Sequence, residues 1–221
     1  MVLALFTAGL VSAVDKPELD RKIQKNVGKF AAMQQKVEKA VPADLLKKAR
    51  GIVLLDRTKA GFIFAYQGGS GVALVKDGNT ENYGAAAFLE ANEASLGFQI
   101  GGEQSFYVIL LMSTNAARGL TDSKINFSGE ARGTAGDQSA GEEGKISADE
   151  RPIRVYSERE GLYGGAALKG GAISPDDEAN RKYYGEYFTV HDILFNKKVK
   201  PTDSAKELAK QFTTAASAKK K

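Results

Sequence analysis

Cysteine and tryptophan are absent from this sequence, and histidine occurs once, as His191. The absence of cysteine excludes disulfides, thiol nucleophiles and the Cys/His sites that hold structural zinc. His191 lies between apolar residues in FTVHDILF, next to Asp192, which favours a capping or packing role over general-base catalysis. Catalytic and metal sites that need cysteine or several histidines are therefore excluded.

Nucleotide-binding and hydrolytic motifs are also missing. Gly144-Lys145 has neither the glycine five residues earlier nor the following Ser or Thr of a phosphate-binding loop. The patterns G-x-S-x-G and H-E-x-x-H and the Asp-rich calcium loop do not occur. We therefore expect a protein that is not an enzyme, with no cofactor, no metal, and neither nucleotide nor nucleic acid as a partner.

The composition is that of an ordinary folded domain, with 43% hydrophobic and 26% charged residues in 221. The charge is unevenly distributed. Residues 14–50 hold ten Lys or Arg against five Asp or Glu, a net charge of +5, whereas residues 51–221 have a net charge of −1. The basic character of the chain therefore belongs to its N-terminal part, with a short basic tail at Lys219–Lys221.

The first thirteen residues are typical of a signal peptide. An apolar run from Val2 to Val11 precedes the small residues Ser12 and Ala13, which predicts cleavage after Ala13. The run is shorter than the roughly 20 residues that cross a bilayer. We expect export to the periplasm or the cell exterior, where the protein could lie peripherally on a membrane. The alternative is that this run forms a buried N-terminal strand or helix.

Residues 14–50 are predicted to be helical. Asp15 can cap a first helix, and Pro42 interrupts it before a second helix over Ala43–Arg50. Apolar residues recur at spacings of three and four along the first helix and form one stripe. The stripe consists of Leu19, Ile23, Val27, Phe30, either Met33 or Gln34, Val37 and Val41.

Four lysines lie on one flank of this stripe at 100° per residue: Lys22, Lys25, Lys29 and Lys36. A basic flank beside an apolar stripe can bind an anionic lipid surface or another acidic surface. The alternative is a solvated helix face whose apolar stripe simply packs in the core.

Residues 51–175 are predicted to be mainly β-structure. Short apolar runs follow one another with no long helix between them, which favours an antiparallel meander or a barrel-like core in an α+β protein. Gly68–Gly71 is predicted to be a hairpin turn, and Asp77–Asn79 a second turn. Short helices are predicted over 176–184, 188–195 and 202–214.

The glycine-rich stretch EREGLYGGAALKGGAISPDDEANRKYYG, followed by TVHDILF, resembles the C-terminal signature of SYLF domains, the actin-regulator or Las-seventeen-binding-protein type. Upstream, VPADLLKKARGIVLL and KAGFIFAYQGGSGVALV are similar to other family segments. The resemblance assigns one domain to residues 14–199, with a C-terminal helix and tail over 200–221. Its signature residues here are Gly161, Gly164, Gly165, Gly170, Asn180, Tyr184, Gly185 and Asp192.

The resemblance implies a lipid-binding module, in this case an exported bacterial-type member. Eukaryotic members bind phosphoinositides through a basic N-terminal helix, and some bind or bundle actin. The matching residues are Lys22, Lys25, Lys29 and Lys36, so anionic membrane lipids are the first expected partner. The alternative is a structural or protein-interaction domain whose partner is an envelope protein. NYGAAAFLE departs from the tryptophan-containing family pattern at that position.

Overall fold

A computed structural model describes the protein over residues 15–36, 39–61, 65–95, 101–121, 125–129, 153–160 and 168–218. Within these ranges the chain forms helices α1 to α6, which are Lys16–Gln35, Ala43–Lys48, Thr114–Arg118, Asp177–Tyr184, Val190–Leu194 and Asp203–Ser217. The strands β1 to β7 are Gly51–Gly61, Ala65–Val75, Ala87–Ser95, Gly101–Leu111, Ile125–Gly129, Ile153–Glu160 and Leu168–Pro175. The predicted signal peptide, residues 1–13, lies outside the described residues.

The seven strands form one antiparallel sheet in the order β5-β7-β3-β2-β1-β4-β6. This confirms the predicted α+β class and the antiparallel sheet. Strands β1, β2 and β3 follow one another as a meander, while β4 joins the other side of β1 and longer connections place β6 and β7 far apart. The centre of the sheet is therefore β2, with β3 and β1 on either side.

Both faces of the sheet are covered, because side chains alternate along each strand. On one face Ile52, Leu54 and their neighbours form a buried cluster with α1, α2, α4 and α6. On the other face Val53 and Leu55 belong to a second cluster with α3 and α5. The fold thus has three layers, with helices above and below the sheet.

Helix α1 begins as predicted, with the Asp15 carboxylate accepting a hydrogen bond from the Glu18 amide at 3.0 Å. It ends at Gln35, because Lys36 adopts an extended conformation and its amide bonds to the Met33 carbonyl. Val41, the last residue of the predicted stripe, is nevertheless buried and reaches the core from outside the helix.

Helices α1 and α6 lie side by side and run in the same direction. Near their starts, Tyr183 contacts both Asp20 on α1 and Thr202, the N-cap of α6. Ten residues further along each chain, the rings of Phe30 and Phe212 meet edge to face, 5.0 Å apart. The C-terminal helix is therefore part of the same core as the N-terminal helix.

The prediction of a hairpin turn at Gly68–Gly71 is wrong, since these residues lie within β2 and pair with β1. A Cβ on Gly69 would lie 2.8 Å from the Asp56 carbonyl oxygen and 2.9 Å from Cγ of Arg57. Glycine is therefore needed here for close approach between strands rather than for a turn. The predicted turn at Asp77–Asn79 is confirmed, with the Asn79 amide donating to the Asp77 carboxylate.

Candidate functional site

The lysine flank of α1, defined as Lys22, Lys25, Lys29 and Lys36, is the surface that the sequence indicated. Lys25 and Lys36 are exposed, whereas Lys22 and Lys29 are half-buried. The flank thus remains in contact with solvent beside the buried stripe of Leu19, Ile23, Val27, Phe30 and Met33.

Two of the four lysines bind one carboxylate of the sheet. Asp56 on β1 accepts from Lys29 Nζ at 2.8 Å and forms an ion pair with Lys25 Nζ at 3.0 Å. Its side chain is only 14% exposed, and the Lys29 ammonium also lies 5.8 Å from the centre of the Phe106 ring. Lys25 and Lys29 therefore fasten α1 to the sheet in addition to carrying surface charge.

Sequence reasoning did not identify Asp56. Asp56 follows Ile52 and Leu54 at a spacing of two, so it shares the sheet face that packs against α1. A carboxylate on a core-facing position needs a cationic or hydrogen-bonding partner. The spacing of Ile52, Leu54 and Asp56 is therefore the sequence feature from which an ion pair between β1 and a helix could have been predicted.

The opposite flank of α1 is held by Tyr183. Its hydroxyl donates to Asp20 Oδ1 at 2.6 Å and shares a hydrogen bond with Thr202 Oγ1 at 2.6 Å, while Lys16 Nζ lies 5.7 Å from the centre of its ring. Burial, followed by the bond to Asp20, raises the pKa of Tyr183 well above its usual range. The hydroxyl consequently remains a neutral donor that links α4 to α1 and α6.

Asn180 of the signature is fully buried and bonds to the backbone of β3. Its Oδ1 accepts from the Phe88 amide at 2.8 Å, and its Nδ2 donates to the Phe88 carbonyl at 3.0 Å. The pairing of β7 with β3 ends at Pro175 opposite Leu89. The Asn180 amide thus adds two bonds to Phe88 beyond the end of this pairing, where the Asp176 amide also donates to the Phe88 carbonyl at 3.1 Å.

The neighbouring signature residues are also structural. Tyr184 donates to the Ala86 carbonyl at 2.5 Å, and Gly185 ends α4 with a φ of 83°, a conformation that favours glycine. Asp192 accepts from Asn196 Nδ2 and Lys198 Nζ, both at 2.9 Å. The bond from Asn196, followed by the bond from Lys198, holds the pKa of Asp192 well below its usual range.

The remaining signature glycines contribute no site in the described residues. Gly161, Gly164 and Gly165 lie outside these residues, and Gly170 lies within β7.

His191 is exposed on α5, and the centre of its ring lies 5.4 Å from that of Phe195. In the part of the chain that the structure describes, no group of three or more His, Asp or Glu is placed to hold a metal ion. No helix there combines the length and apolar character required to cross a membrane.

The sequence profile of the Ysc84 family, described as "Las17-binding protein actin regulator", matches residues 92–215, more than half of the chain. This protein belongs to the Ysc84 family. The resemblance to SYLF domains is thereby confirmed. The Ysc84 match includes Asn180, Tyr184 and Asp192, whereas the lysine flank lies before its first residue.

Named relatives extend this similarity. LAS seventeen-binding protein 3 of Saccharomyces cerevisiae is 32% identical over 163 residues, which is 71% of this chain and 35% of that protein. SH3 domain-containing YSC84-like protein 1 of Bos taurus is 29% identical over 171 residues, 76% of this chain and 49% of that protein. The chain thus spans about a third to a half of the relatives' length. No solved structure gives a significant match.

Proposed function

We propose that this Ysc84-family chain is a non-catalytic protein-interaction domain that binds an acidic protein surface, with actin filaments as the first candidate. The family description as an actin regulator and the name of the yeast relative support a protein partner. The signature residues Asn180, Tyr184 and Asp192 are engaged in internal bonds, so a partner must contact other side chains.

The lysine flank carries this proposal, because it concentrates positive charge on a surface open to solvent. The net charge of +5 over residues 14–50 contrasts with −1 over the rest of the chain. Asp56 neutralises one of the two lysines that it contacts, while Lys22 lies outside that ion-pair cluster. The flank can therefore attract an acidic surface while α1 stays docked on the sheet.

Co-sedimentation with actin filaments at low and high salt tests the proposal. We expect the wild-type chain to pellet with filaments at low salt and the Lys22→Gln/Lys36→Gln variant to bind about fivefold to thirtyfold more weakly, at about 0.5–1 kcal/mol for each charge. A matched control replaces Lys206 and Lys210, two exposed lysines of α6, with glutamine. Actin is rejected as the partner if wild-type chain stays in the supernatant, and the lysine flank is rejected as the binding surface if both variants weaken binding equally.

Binding to anionic lipid, including phosphoinositides, is the second candidate, and the lysine flank beside an apolar stripe favours it. A lysine near an anionic membrane contributes about 1 kcal/mol. Because Lys25 and Lys29 share Asp56, replacing all four lysines with glutamine should cost less than four such contributions. We expect pelleting with anionic vesicles to fall at least about tenfold and to lose its salt dependence. Unchanged pelleting would assign these lysines to scaffolding alone.

Export is a further part of the proposal, based on the apolar run before Ala13. The mature chain would then begin at Val14 and lie in the periplasm or outside the cell, where an envelope protein would take the place of actin as the acidic partner. N-terminal sequencing of protein from a secreting host tests this point. Folded protein that retains Met1 would contradict it.

A further inference from the structure

A second basic surface lies at the end of the sheet where β1 begins and β2 ends. It consists of Lys47 and Lys48 at the end of α2, Arg50 just before β1, and Lys76 just after β2. We call this set the basic corner. It lies outside the range matched by the family profile.

Backbone and side-chain bonds hold the basic corner together. The Arg50 amide donates to the Leu111 carbonyl, and the Lys76 amide donates to the Arg50 carbonyl, both at 2.8 Å. Lys76 Nζ donates to the Lys47 carbonyl at 2.7 Å and lies 5.5 Å from the centre of the Tyr83 ring. Strand ends therefore position Arg50 and Lys76, while helix α2 positions Lys47 and Lys48.

The carboxylates near the basic corner leave part of its charge uncompensated. Glu81 bonds to Arg50, and Asp77 bonds to Lys197. Asp44 lies one turn before the two lysines of α2 but forms no ion pair with either. Lys47 and Lys48 are exposed and have no carboxylate partner among the described residues. Burial is the main cause of the lowered pKa of Lys76; the Glu81 charge opposes this shift, and the Arg50 charge adds to it.

From this arrangement we infer that the basic corner binds an acidic segment of a partner protein, with Lys47 and Lys48 meeting its carboxylates. This inference rests on the proposed function, since it specifies a binding surface of the interaction domain. A protein segment fits better than a membrane, because Tyr187 is the one exposed large hydrophobic side chain in the described residues and it lies outside the corner. The corner therefore offers charge without an apolar group that could enter a bilayer.

A labelled peptide of about ten glutamates tests this inference by fluorescence anisotropy, with a glutamine peptide of equal length as the uncharged probe. We expect the wild-type chain to bind the glutamate peptide at low salt and to ignore the glutamine peptide. The Lys47→Gln/Lys48→Gln variant should bind about fivefold to thirtyfold more weakly. Both lysines are exposed, so the variant should keep the wild-type urea midpoint.

The matched control is again Lys206→Gln/Lys210→Gln, which removes the same charge from α6 and should bind the peptide like wild type. Equal losses in the two variants would overturn the inference, because they would reflect net charge alone. The inference would also be overturned if the wild-type chain did not bind the glutamate peptide. The same holds if the Lys47→Gln/Lys48→Gln variant lost binding to anionic vesicles but kept binding to the peptide. Actin co-sedimentation with no peptide binding would reject the basic corner and leave the proposed function standing. Peptide binding at the corner with no actin co-sedimentation would reject actin alone.

Discussion

The Phe212→Ala variant is expected to lose about 3–5 kcal/mol of the free energy of unfolding. The Phe212 ring is 1% exposed and contacts two other rings edge to face, Phe30 at 5.0 Å and Tyr83 at 5.4 Å between centroids. Its removal leaves a cavity where α6 packs against α1. Because α1 carries the lysine flank, this change should also weaken the scaffold of the proposed interaction surface.

Urea unfolding followed by circular dichroism measures this effect as a lower midpoint at an unchanged slope. Thr214→Ala is the control, because Thr214 is exposed on the same helix and alanine suits a helix well. We expect that control to stay within about 0.5 kcal/mol of wild type. A Phe212→Ala midpoint close to that of Thr214→Ala would contradict the packing of α6 against α1.

Replacing Asn180 with alanine is expected to cost about 2–4 kcal/mol, because two buried hydrogen bonds disappear together. The Phe88 amide would lose its acceptor, while the Phe88 carbonyl would keep the bond from the Asp176 amide at 3.1 Å. The cost therefore arises mainly from one buried donor without a partner. The Asn180→Asp variant should be at least as destabilising, since it places a carboxylate against the Phe88 carbonyl.

The same urea experiment measures both Asn180 variants, with Asn115→Ala as the control. Asn115 is exposed on α3, so its replacement should leave the midpoint near that of wild type. If Asn180→Ala and Asn115→Ala unfolded at the same urea concentration, the bonds between α4 and β3 would not stabilise the fold. The signature asparagine would then require another explanation.

Local features of the chain could be predicted because they depend on neighbouring residues. Asp15 caps α1 through the amide only three residues later, and the spacing of apolar residues gives the buried stripe from Leu19 to Met33. The turn after Val75 is likewise predicted by Asp77-Gly78-Asn79. Such signals act between residues only a few positions apart, which lie close in space because they lie close in the sequence.

The error at Gly68–Gly71 has a physical cause. Glycine permits both a sharp turn and a close approach between strands, and its position in the sequence does not distinguish these uses. In the structure, β2 continues through these residues because Asp56 and Arg57 of β1 pass directly against Gly69. Whether the glycines form a turn or allow a close approach therefore depends on the strand that lies beside them.

The sequence by itself determined the helix caps, the apolar stripe, the basic N-terminal segment and the membership of the family. Only the tertiary structure decided the partners of the polar side chains. Lys29 bonds to Asp56 across 27 residues, Asn180 to Phe88 across 92, and Tyr183 to Asp20 across 163. Packing of distant elements creates these contacts, because a buried polar group bonds to whichever partner the fold brings within about 3 Å. Packing likewise brought Lys76 to Lys47 and Arg50, which with Lys48 are neighbours in the chain.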